Sequence, residues 1–321
     1  MKAVRHERYG IDALELRDVE KPAINDDQVL VRVHASSVNP VEWYGVQGPF
    51  FVRVMGGGLR APKDPTIGAD LAGRVEAVGK DVTDLEPGDE VFGSSGASWA
   101  EYAPAREVKL AKKPANVSFE EAAAVPVAGL TALQAVRDHG RIQPGHKVLV
   151  NGASGGVGTF AVQIAKTYGA DVTAVCATSK VELTESLGAD RVFDYTKEDF
   201  TRSPERYDVM LDIAGSRRFS RFRRVLKPDA TVVVVGAPMS AKGLGPLKHI
   251  AGTRLTSIGR SQKVAMFMAK IERDDLRVMA DLLESVKVKS VIDRTYPLSD
   301  VQDALRHLGE LHARGKIVIT I

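Results

Sequence analysis

The segment NGASGGVG at residues 151–158 decides the fold of this chain. It follows the apolar run Lys147–Val150 and precedes a helical pattern over 156–168, which predicts a strand-to-helix turn. Glycines there let the backbone approach a pyrophosphate, and the helix N-terminus adds free N–H groups and partial positive charge. Isolated glycine-rich turns are weak evidence, but this context favours a dinucleotide site. The predicted loop contacts are Gly152, Ser154, Gly155, Gly156, Val157 and Gly158.

Strand and helix patterns alternate on the C-terminal side of this loop. Strands are predicted at 172–177, 209–213 and 232–235, with helices at 181–187 and 219–226. The run Val232–Val235 is continuously apolar, as a strand covered on both faces requires. This βαβ alternation predicts a doubly wound parallel sheet.

The two ends of the chain have a different pattern. Short strands at 29–33, 71–78 and around Val91 are separated by turn signals, which is typical of a barrel-like β unit. Ser118 and Glu121 have capping-box spacing before a helical run. Near the end, 292–296 and 316–321 are predicted strands; a helix between them opens at Ser299 and Gln302. With 321 residues, the chain is expected to form two domains.

The segment ATSK at 177–180 bears on the choice of cofactor. An NAD-binding chain usually ends this strand with Asp or Glu, which accepts a hydrogen bond from the ribose 2′-hydroxyl. Thr178, Ser179 and Lys180 offer two hydroxyls and an ammonium instead, which suit a 2′-phosphate. The alternative is that Ser179 caps the following helix and Lys180 is solvated. We expect NADPH, since capping and phosphate binding are compatible.

Composition limits the other partners. A net charge of +3 gives no case for nucleic acid or a membrane surface. A single cysteine, Cys176, excludes an intramolecular disulfide and a multi-cysteine zinc site, and it is compatible with the cytoplasm. We predict no signal peptide and no membrane span. One basic run is assigned to a solvated helix face rather than an anion site: Arg217, Arg218, Arg221, Arg223 and Arg224.

Several spaced motifs resemble the medium-chain dehydrogenase/reductase superfamily. GADLAGRVEAVGKDVTDLEPGDEVFG at 68–93 resembles its N-terminal barrel signature. AAAVPVAGLTALQAV at 122–136, VLVNGASGGVGTFAVQIAK at 148–166 and SLGADRVFDYTKEDF at 186–200 resemble its zinc-free quinone oxidoreductase branch. The closing ARGKIVITI at 313–321 matches the usual end of that branch.

The resemblance implies a Rossmann domain inserted in a GroES-like β-barrel catalytic domain. The catalytic domain is expected at 1–121, completed by 289–321, and the Rossmann domain at 122–288, with the cofactor in the cleft between them. By position, the further implied cofactor contacts are Asn39, Thr131, Lys180, Tyr195, Gly215 and Gly236. Two of these residues have an alternative interpretation: Asn39 as a turn residue before Pro40, and Tyr195 as a surface aromatic.

Zinc-dependent relatives need cysteine and histidine ligands in the barrel. The region of Ser36 and Ser37 offers no cysteine, and the GAD stretch at 68–70 lacks the family's histidine. His34 lies on a predicted strand without suitable partners. We therefore predict neither a catalytic nor a structural zinc. The resemblance to the zinc-free branch still implies a nicotinamide cofactor.

Without a Lewis acid an alcohol is hard to ionise, whereas a quinone or an activated alkene accepts hydride readily. Asn39 and Tyr44 are the catalytic candidates, with Tyr44 a chemically reasonable proton donor. Trp43 and Tyr44 either stack on a flat substrate or pack the barrel edge.

The leading functional hypothesis is an NADPH:quinone oxidoreductase. The alternatives are a reductase of enone or alkenal double bonds and an NADPH-binding protein with little turnover. The resemblance also implies a homodimer joined at sheet edges, for which Thr231–Val235 and Leu255–Ile258 are the candidate segments.

Overall fold

The computed structural model describes residues 1–217, 219–236 and 261–321. Arg218 and the predicted segment Leu255–Ile258 lie outside the described residues. The chain divides into two compact units. Unit 1 comprises Met1–Leu130 and Lys270–Ile321, and unit 2 comprises Thr131–Ala269.

These limits differ from the predicted domain boundaries, because residues 122–130 and 270–288 belong to unit 1. The backbone N–H of Val127 donates to Asp70 at 2.9 Å. The Asn116 amide donates to the carbonyl oxygens of Leu283 and Glu284 at 3.2 and 3.3 Å. Both segments are thus tied to the β structure of the first 121 residues.

Unit 1 is built on a seven-stranded sheet whose path runs β14-β15-β3-β4-β5-β7, with β6 paired to β3. The terminal strand β15 runs antiparallel to β3 and parallel to β14. Strands β1 (Lys2–His6) and β2 (Leu14–Asp18) form a separate two-stranded sheet. The seven strands of the main sheet are β3 (Gln28–Val38), β4 (Asp70–Val78), β5 (Glu90–Ser94), β6 (Tyr102–Arg106), β7 (Leu110–Lys112), β14 (Ile292–Pro297) and β15 (Lys316–Thr320). The chain therefore returns to its first sheet, as the interleaved architecture requires.

Unit 2 carries a parallel six-stranded sheet in the order β10-β9-β8-β11-β12-β13. Central strands such as β8 are almost fully buried, which explains their continuous apolar sequence. The strands are β8 (Lys147–Asn151), β9 (Asp171–Cys176), β10 (Arg191–Asp194), β11 (Tyr207–Asp212), β12 (Leu226–Val234) and β13 (Lys263–Met266). The predicted doubly wound sheet is confirmed, and Thr231–Val235 lies within and just after β12, one strand in from β13.

The described helices connect and cover these sheets. They are α1 (Pro40–Gln47), α2 (Phe50–Val52), α3 (Phe119–Ala123), α4 (Pro126–Gln134), α5 (Gly156–Thr167), α6 (Val181–Ser186), α7 (Phe219–Phe222), α8 (Arg273–Glu284) and α9 (Val301–Gly309). Helix α1 begins directly after Asn39 with Pro40 at its first position and ends at Gly48 in the left-handed region (φ 55°). No described helix has the length and apolar character that crossing a membrane demands.

The helix predicted over 219–226 is confirmed up to Val225: α7 continues as a 3-10 turn over Arg223–Val225, and Leu226 begins β12. Arg221, Arg223 and Arg224 are exposed on this helical stretch, in agreement with their assignment to solvent. One local prediction is wrong. The Ser299 hydroxyl bonds Asp300 and the Gln302 amide donates to the Leu14 carbonyl, so no capping box opens α9.

The capping box at Ser118 and Glu121 is confirmed. The Glu121 N–H donates to the Ser118 hydroxyl at 3.1 Å, and the Ser118 N–H donates to the Glu121 carboxylate at 2.9 Å.

Candidate active site

A hydrogen-bonded pair ends two neighbouring strands of the parallel sheet in unit 2. Asn151 ends β8 and Asp212 ends β11, and the two are register partners. The Asn151 amide donates to Asp212 Oδ1 at 2.7 Å, and the Gly215 N–H donates to the same oxygen at 3.1 Å. Both side chains are buried. This pair holds together the loops at the carboxyl edge of the sheet, where ligands of such folds bind.

The glycine loop between β8 and α5 forms a cradle made of backbone. Gly152 adopts a left-handed φ of 92°, which favours glycine. A Cβ at Gly158 would overlap the carbonyl oxygen of Gly152, and one at Gly236 would overlap that of Ile213. A Cβ at Gly155, by contrast, would lie 3.8 Å from the nearest carbonyl oxygen. The protein itself therefore leaves room beside Gly155 at the start of α5.

Helix α5 directs its first N–H groups into this cradle. Gly155 precedes the helix, and the Thr159 N–H is already engaged by the Gly155 carbonyl at 2.9 Å. Helix geometry leaves the N–H groups of Gly156, Val157 and Gly158 without intrahelical partners. Ser154 is buried beside them. The cradle thus fits a dinucleotide pyrophosphate, by a combination of glycine spacing and a helix N-terminus.

The predicted 2′-phosphate residues follow the next two strands. Strands β9 and β10 end in register at Cys176 and Asp194, which brings the 178–180 turn and Tyr195 to one edge. Ser179 is exposed, Lys180 is half-buried, and Tyr195 is 53% exposed. Ser179 and Tyr195 are thus open to an anion from solvent, next to the positive charge of Lys180.

Thr178 has a different local role from the predicted phosphate contact. Its hydroxyl donates to Asp194 at 2.5 Å and lies 2.8 Å from the Thr196 hydroxyl. These hydroxyl bonds hold the pKa of Asp194 well below its usual range. The Thr178 hydrogen is thus committed to Asp194, a carboxylate that the sequence reasoning missed.

Unit 1 contains a buried charge cluster, which we define as Ser37, Asn39, Glu42, Asp70 and Lys316. One Asp70 oxygen accepts hydrogen bonds from the Ser37 hydroxyl at 2.5 Å and the Asn39 amide at 2.9 Å. The Lys316 ammonium donates to the Asn39 side-chain oxygen and lies 3.5 Å from that same Asp70 oxygen. Side-chain exposure is 3% for Lys316 and 0% for Asp70. The cluster therefore joins β3, α1, β4 and β15 through side chains shielded from water.

Glu42 is the second acid of this cluster. Its two carboxylate oxygens accept the backbone N–H groups of Asn39 and Ala69, each at 2.9 Å. Burial, followed by the nearby Asp70 charge, raises the pKa of Glu42 to about 7, although the Lys316 ammonium opposes the rise. Burial also lowers the pKa of Lys316.

The two predicted catalytic residues are in different situations. Asn39 is 2% exposed, with its oxygen facing Lys316 and its nitrogen facing Asp70. Asn39 has extended backbone directly before Pro40 at the start of α1, and its contact with the nicotinamide stays a prediction. The Tyr44 hydroxyl, in contrast, is buried with no hydrogen-bond partner among the described residues.

An unpartnered buried hydroxyl costs free energy that a ligand oxygen would recover. Burial raises the pKa of Tyr44, which keeps the hydroxyl protonated and able to donate. The ring makes edge contacts with Trp43 and Phe51, at centroid distances of 5.2 and 5.9 Å. Both sequence interpretations of the aromatic pair, packing and substrate stacking, remain compatible with this arrangement.

The remaining predicted positions also have defined places. Thr131 is half-buried within α4, at the start of unit 2. Gly215 has a left-handed φ of 58° after β11, and Gly236 follows β12. Gly215 is tied to the Asn151–Asp212 pair, so the structure assembles these glycines around the cradle.

No group of three His, Cys, Asp or Glu suited to a metal occurs within the described parts of the chain. His34 stacks on Phe119 at 4.4 Å, in keeping with a structural role. Ser36 bonds Ser98, while Ser37 and Asp70 belong to the charge cluster. The absence of zinc stays a prediction.

Two family models match the chain. The alcohol dehydrogenase GroES-like domain matches residues 25–162, and a model described as zinc-binding dehydrogenase matches residues 187–319. A chloroplast envelope quinone oxidoreductase homolog of Arabidopsis thaliana is 35% identical over 99% of this chain and 98% of its own length. An NADPH-dependent alkenal/one oxidoreductase of that plant is 34% identical over 99% of this chain and 79% of its own.

A solved structure resembles the whole chain as well. It is the quinone oxidoreductase from Coxiella burnetii, with a TM-score of 0.87 and 28% identity, covering 100% of this chain and 99% of that one.

Proposed function

Because the chain is an oxidoreductase of the medium-chain dehydrogenase/reductase superfamily, in the quinone oxidoreductase-like branch, we propose that it reduces a quinone with NADPH and without zinc. The observation that carries the proposal is the backbone cradle at 152–158, where glycines and the start of α5 leave room for a pyrophosphate. Relatives named as quinone oxidoreductases supply the substrate class.

NADPH rather than NADH is favoured by the edge of unit 2 where β9 and β10 end. Lys180 supplies a positive charge, and Ser179 and Tyr195 supply hydroxyls that are open to solvent. A phosphate accepts charge-assisted hydrogen bonds from such groups. The cradle holds the pyrophosphate through Gly152, Ser154 and the first N–H groups of α5.

When bound, the nicotinamide supplies a hydride to the acceptor. A quinone that takes up this hydride and one proton leaves as the quinol, while NADPH leaves as NADP⁺. We assign to Tyr44 the hydrogen bond to the substrate oxygen that becomes negative, because its hydroxyl is protonated, buried and unpartnered. Trp43 and Tyr44 offer aromatic surface to a flat substrate.

A second candidate is reduction of the double bond of an α,β-unsaturated ketone or aldehyde. It is favoured by the relative whose name specifies alkenal/one oxidoreduction. Tyr44 would donate the same hydrogen bond in this reaction, since the negative charge again forms on a carbonyl oxygen.

Steady-state NADPH oxidation with matched panels of quinones and enones tests the proposal. We expect the highest kcat/KM with a quinone, and no loss of activity with a chelator. Highest turnover with enones would select the second candidate. Turnover with neither panel, combined with tight NADPH binding, would identify a binding protein.

Tyr44→Phe tests the assigned hydrogen bond. A hydrogen bond to a charged oxygen contributes about 1.5–3 kcal/mol, so kcat should fall roughly 10- to 100-fold. NADPH affinity should not change, because the cradle belongs to unit 2. The matched control is Tyr207→Phe, which removes a hydroxyl from the core of unit 2. An unchanged kcat in the Tyr44 variant would remove Tyr44 from the mechanism.

We further propose a cytoplasmic homodimer that pairs through the edge of the parallel sheet. Strand β13 is the edge strand among the described residues, and β12 lies beside it. An open edge offers unpaired backbone groups to a second copy. Light scattering at micromolar concentration should give twice the mass of 34.6 kDa; a monomer would contradict this proposal.

A further inference from the structure

The inference concerns the buried charge cluster and the helix that begins at it. Helix α1 carries Glu42, Trp43 and Tyr44 in succession. Glu42 caps the N-terminus of this helix through the Asn39 N–H and ties it to the residue before β4 through the Ala69 N–H. We expect a displacement of this attachment to move Tyr44, which lies two residues further along the same helix.

We propose that Glu42 is a positioning residue for Tyr44: its carboxylate clamps α1 to β4, and the buried charges of Asp70 and Lys316 control whether that clamp is closed. The clamp needs both carboxylate oxygens as acceptors, because both face backbone N–H donors. In a protonated carboxyl group the hydroxyl oxygen is a poorer acceptor than a carboxylate oxygen, so one of the two bonds would weaken. The catalytic consequence rests on the proposed function of Tyr44, whereas the clamp itself does not.

The charge balance of the cluster places this event near neutral pH. The folded protein holds the pKa of Glu42 at about 7, against an ordinary value of 4.5. Asp70 raises it and Lys316 lowers it. These two neighbours therefore have opposite effects on the pKa of Glu42.

Other ionisable groups pack around α1 and have to be distinguished from Glu42. From β1, His6 faces the helix at the Val46 backbone, and burial lowers its pKa. Helix α9 also packs against α1. Its Arg306 is paired with Asp12 and Asp303, and its His307 is bonded to Asp293 at 2.6 Å and lies 3.6 Å from Glu310.

The first experiment titrates tryptophan emission of the full chain without substrate. The chain has two tryptophans, and both report on the cluster: Trp43 adjoins Glu42, and the Trp99 indole donates to the Ser37 carbonyl at 3.2 Å. We expect an inflection near pH 7 in the natural protein and none in Glu42→Gln. The matched control is Glu121→Gln, since Glu121 makes the equivalent capping contact at 2.9 Å at an exposed helix start. That variant should keep the inflection.

The second experiment follows kcat for quinone reduction over the same pH range. Activity should fall on the acid side with an inflection near 7, while the KM for NADPH stays constant. Asp70→Asn should move the inflection to lower pH, and Lys316→Met should move it to higher pH. If either of these two variants does not fold, Glu42→Gln still decides the proposal.

The outcomes separate the clamp from the proposed function. One outcome is an emission inflection near pH 7 that requires Glu42, together with no quinone turnover. This outcome would support the clamp and reject the proposed function. Flat emission would overturn the clamp. An inflection that persists in Glu42→Gln would also overturn it and would assign the titration to another group such as His6.

Unfolding gives a check that needs no ligand. Because the folded state binds the Glu42 proton more tightly than the unfolded chain, this group lowers stability as pH rises from about 4.5 through 7. The urea midpoint of the natural protein should therefore decline over this range relative to that of Glu42→Gln. A constant difference between the two midpoints would contradict the proposal.

Discussion

The cradle of unit 2 is made of backbone, whereas the charge cluster of unit 1 is made of side chains. In the cradle, seven consecutive residues combine with the ends of neighbouring strands, and the key positions are glycines. In the cluster, Lys316 reaches Asn39 across 277 positions of sequence. A backbone site is disturbed by adding atoms, and a side-chain site by removing charge. The two regions should therefore respond to opposite kinds of substitution.

The largest effect is expected for Lys316→Met. The change leaves Asp70 buried without its cation, and breaking a buried pair in this way costs about 3–5 kcal/mol of unfolding free energy. Urea denaturation measures the loss.

A surface pair provides the control for this variant. Lys227 contacts Asp208 at 2.7 Å with 40% of its side chain exposed, so Lys227→Met should cost only about 0–1 kcal/mol. Adding Asp70→Asn to Lys316→Met should recover part of the loss, because the Asp70 charge is then no longer buried without its cation. Equal losses for Lys316→Met and Lys227→Met would mean that the cluster is no more than a surface contact.

The second-largest effect is expected for a substitution at Gly158 of the cradle. Gly158→Ala forces a methyl group onto the Gly152 carbonyl, and overpacking of this kind costs roughly 1–3 kcal/mol. NADPH affinity should fall by about 100-fold, equivalent to about 2.8 kcal/mol, because the loop has to open. Cofactor titration and urea denaturation of the same samples measure both quantities.

Gly155→Ala separates the ligand from the fold. Its methyl group would meet only an ordinary contact at 3.8 Å, so stability should stay within about 0.5 kcal/mol. Affinity should nevertheless fall, since the methyl group occupies the space assigned to the pyrophosphate. Gly96→Ala is the control, because its methyl group would meet open space. Undiminished NADPH binding by Gly155→Ala would place the cofactor elsewhere.

Sequence reasoning succeeded where the signal is local. The loop at 151–158, the strands around it and the capping box at Ser118 depend on neighbours within a few residues, and the structure confirms each of them. The end of the helix predicted over 219–226 was set one residue too late, because tertiary pairing makes Leu226 the start of β12. Spacing alone does not reveal such pairing.

The charge cluster was missed because its members are distant in sequence. Glu42 and Asp70 occupy ordinary positions in their segments, and only the sheet register brings β15 beside β3 and β3 beside β4. One signal was available: Lys316 begins a strand whose other core residues are apolar, and a lysine there needs a buried partner. The Asn151–Asp212 pair carried a similar signal, a polar residue at the end of each of two apolar strands.

The smallest of these effects concerns a side chain of the proposed cofactor site outside the cradle. Lys180→Ala removes the ammonium assigned to the 2′-phosphate, and a hydrogen bond to a charged group contributes about 1.5–3 kcal/mol. NADPH affinity should therefore fall roughly 10- to 100-fold, while NADH, which has no phosphate there, should bind as before. The difference should shrink in high salt, because the side chain is only half-buried. Equal losses for both cofactors would show that Lys180 acts through the fold of the 178–180 turn. No loss for either would leave the preference for NADPH resting only on the missing acid after β9, and Tyr195→Phe would then test whether the neighbouring hydroxyl carries it.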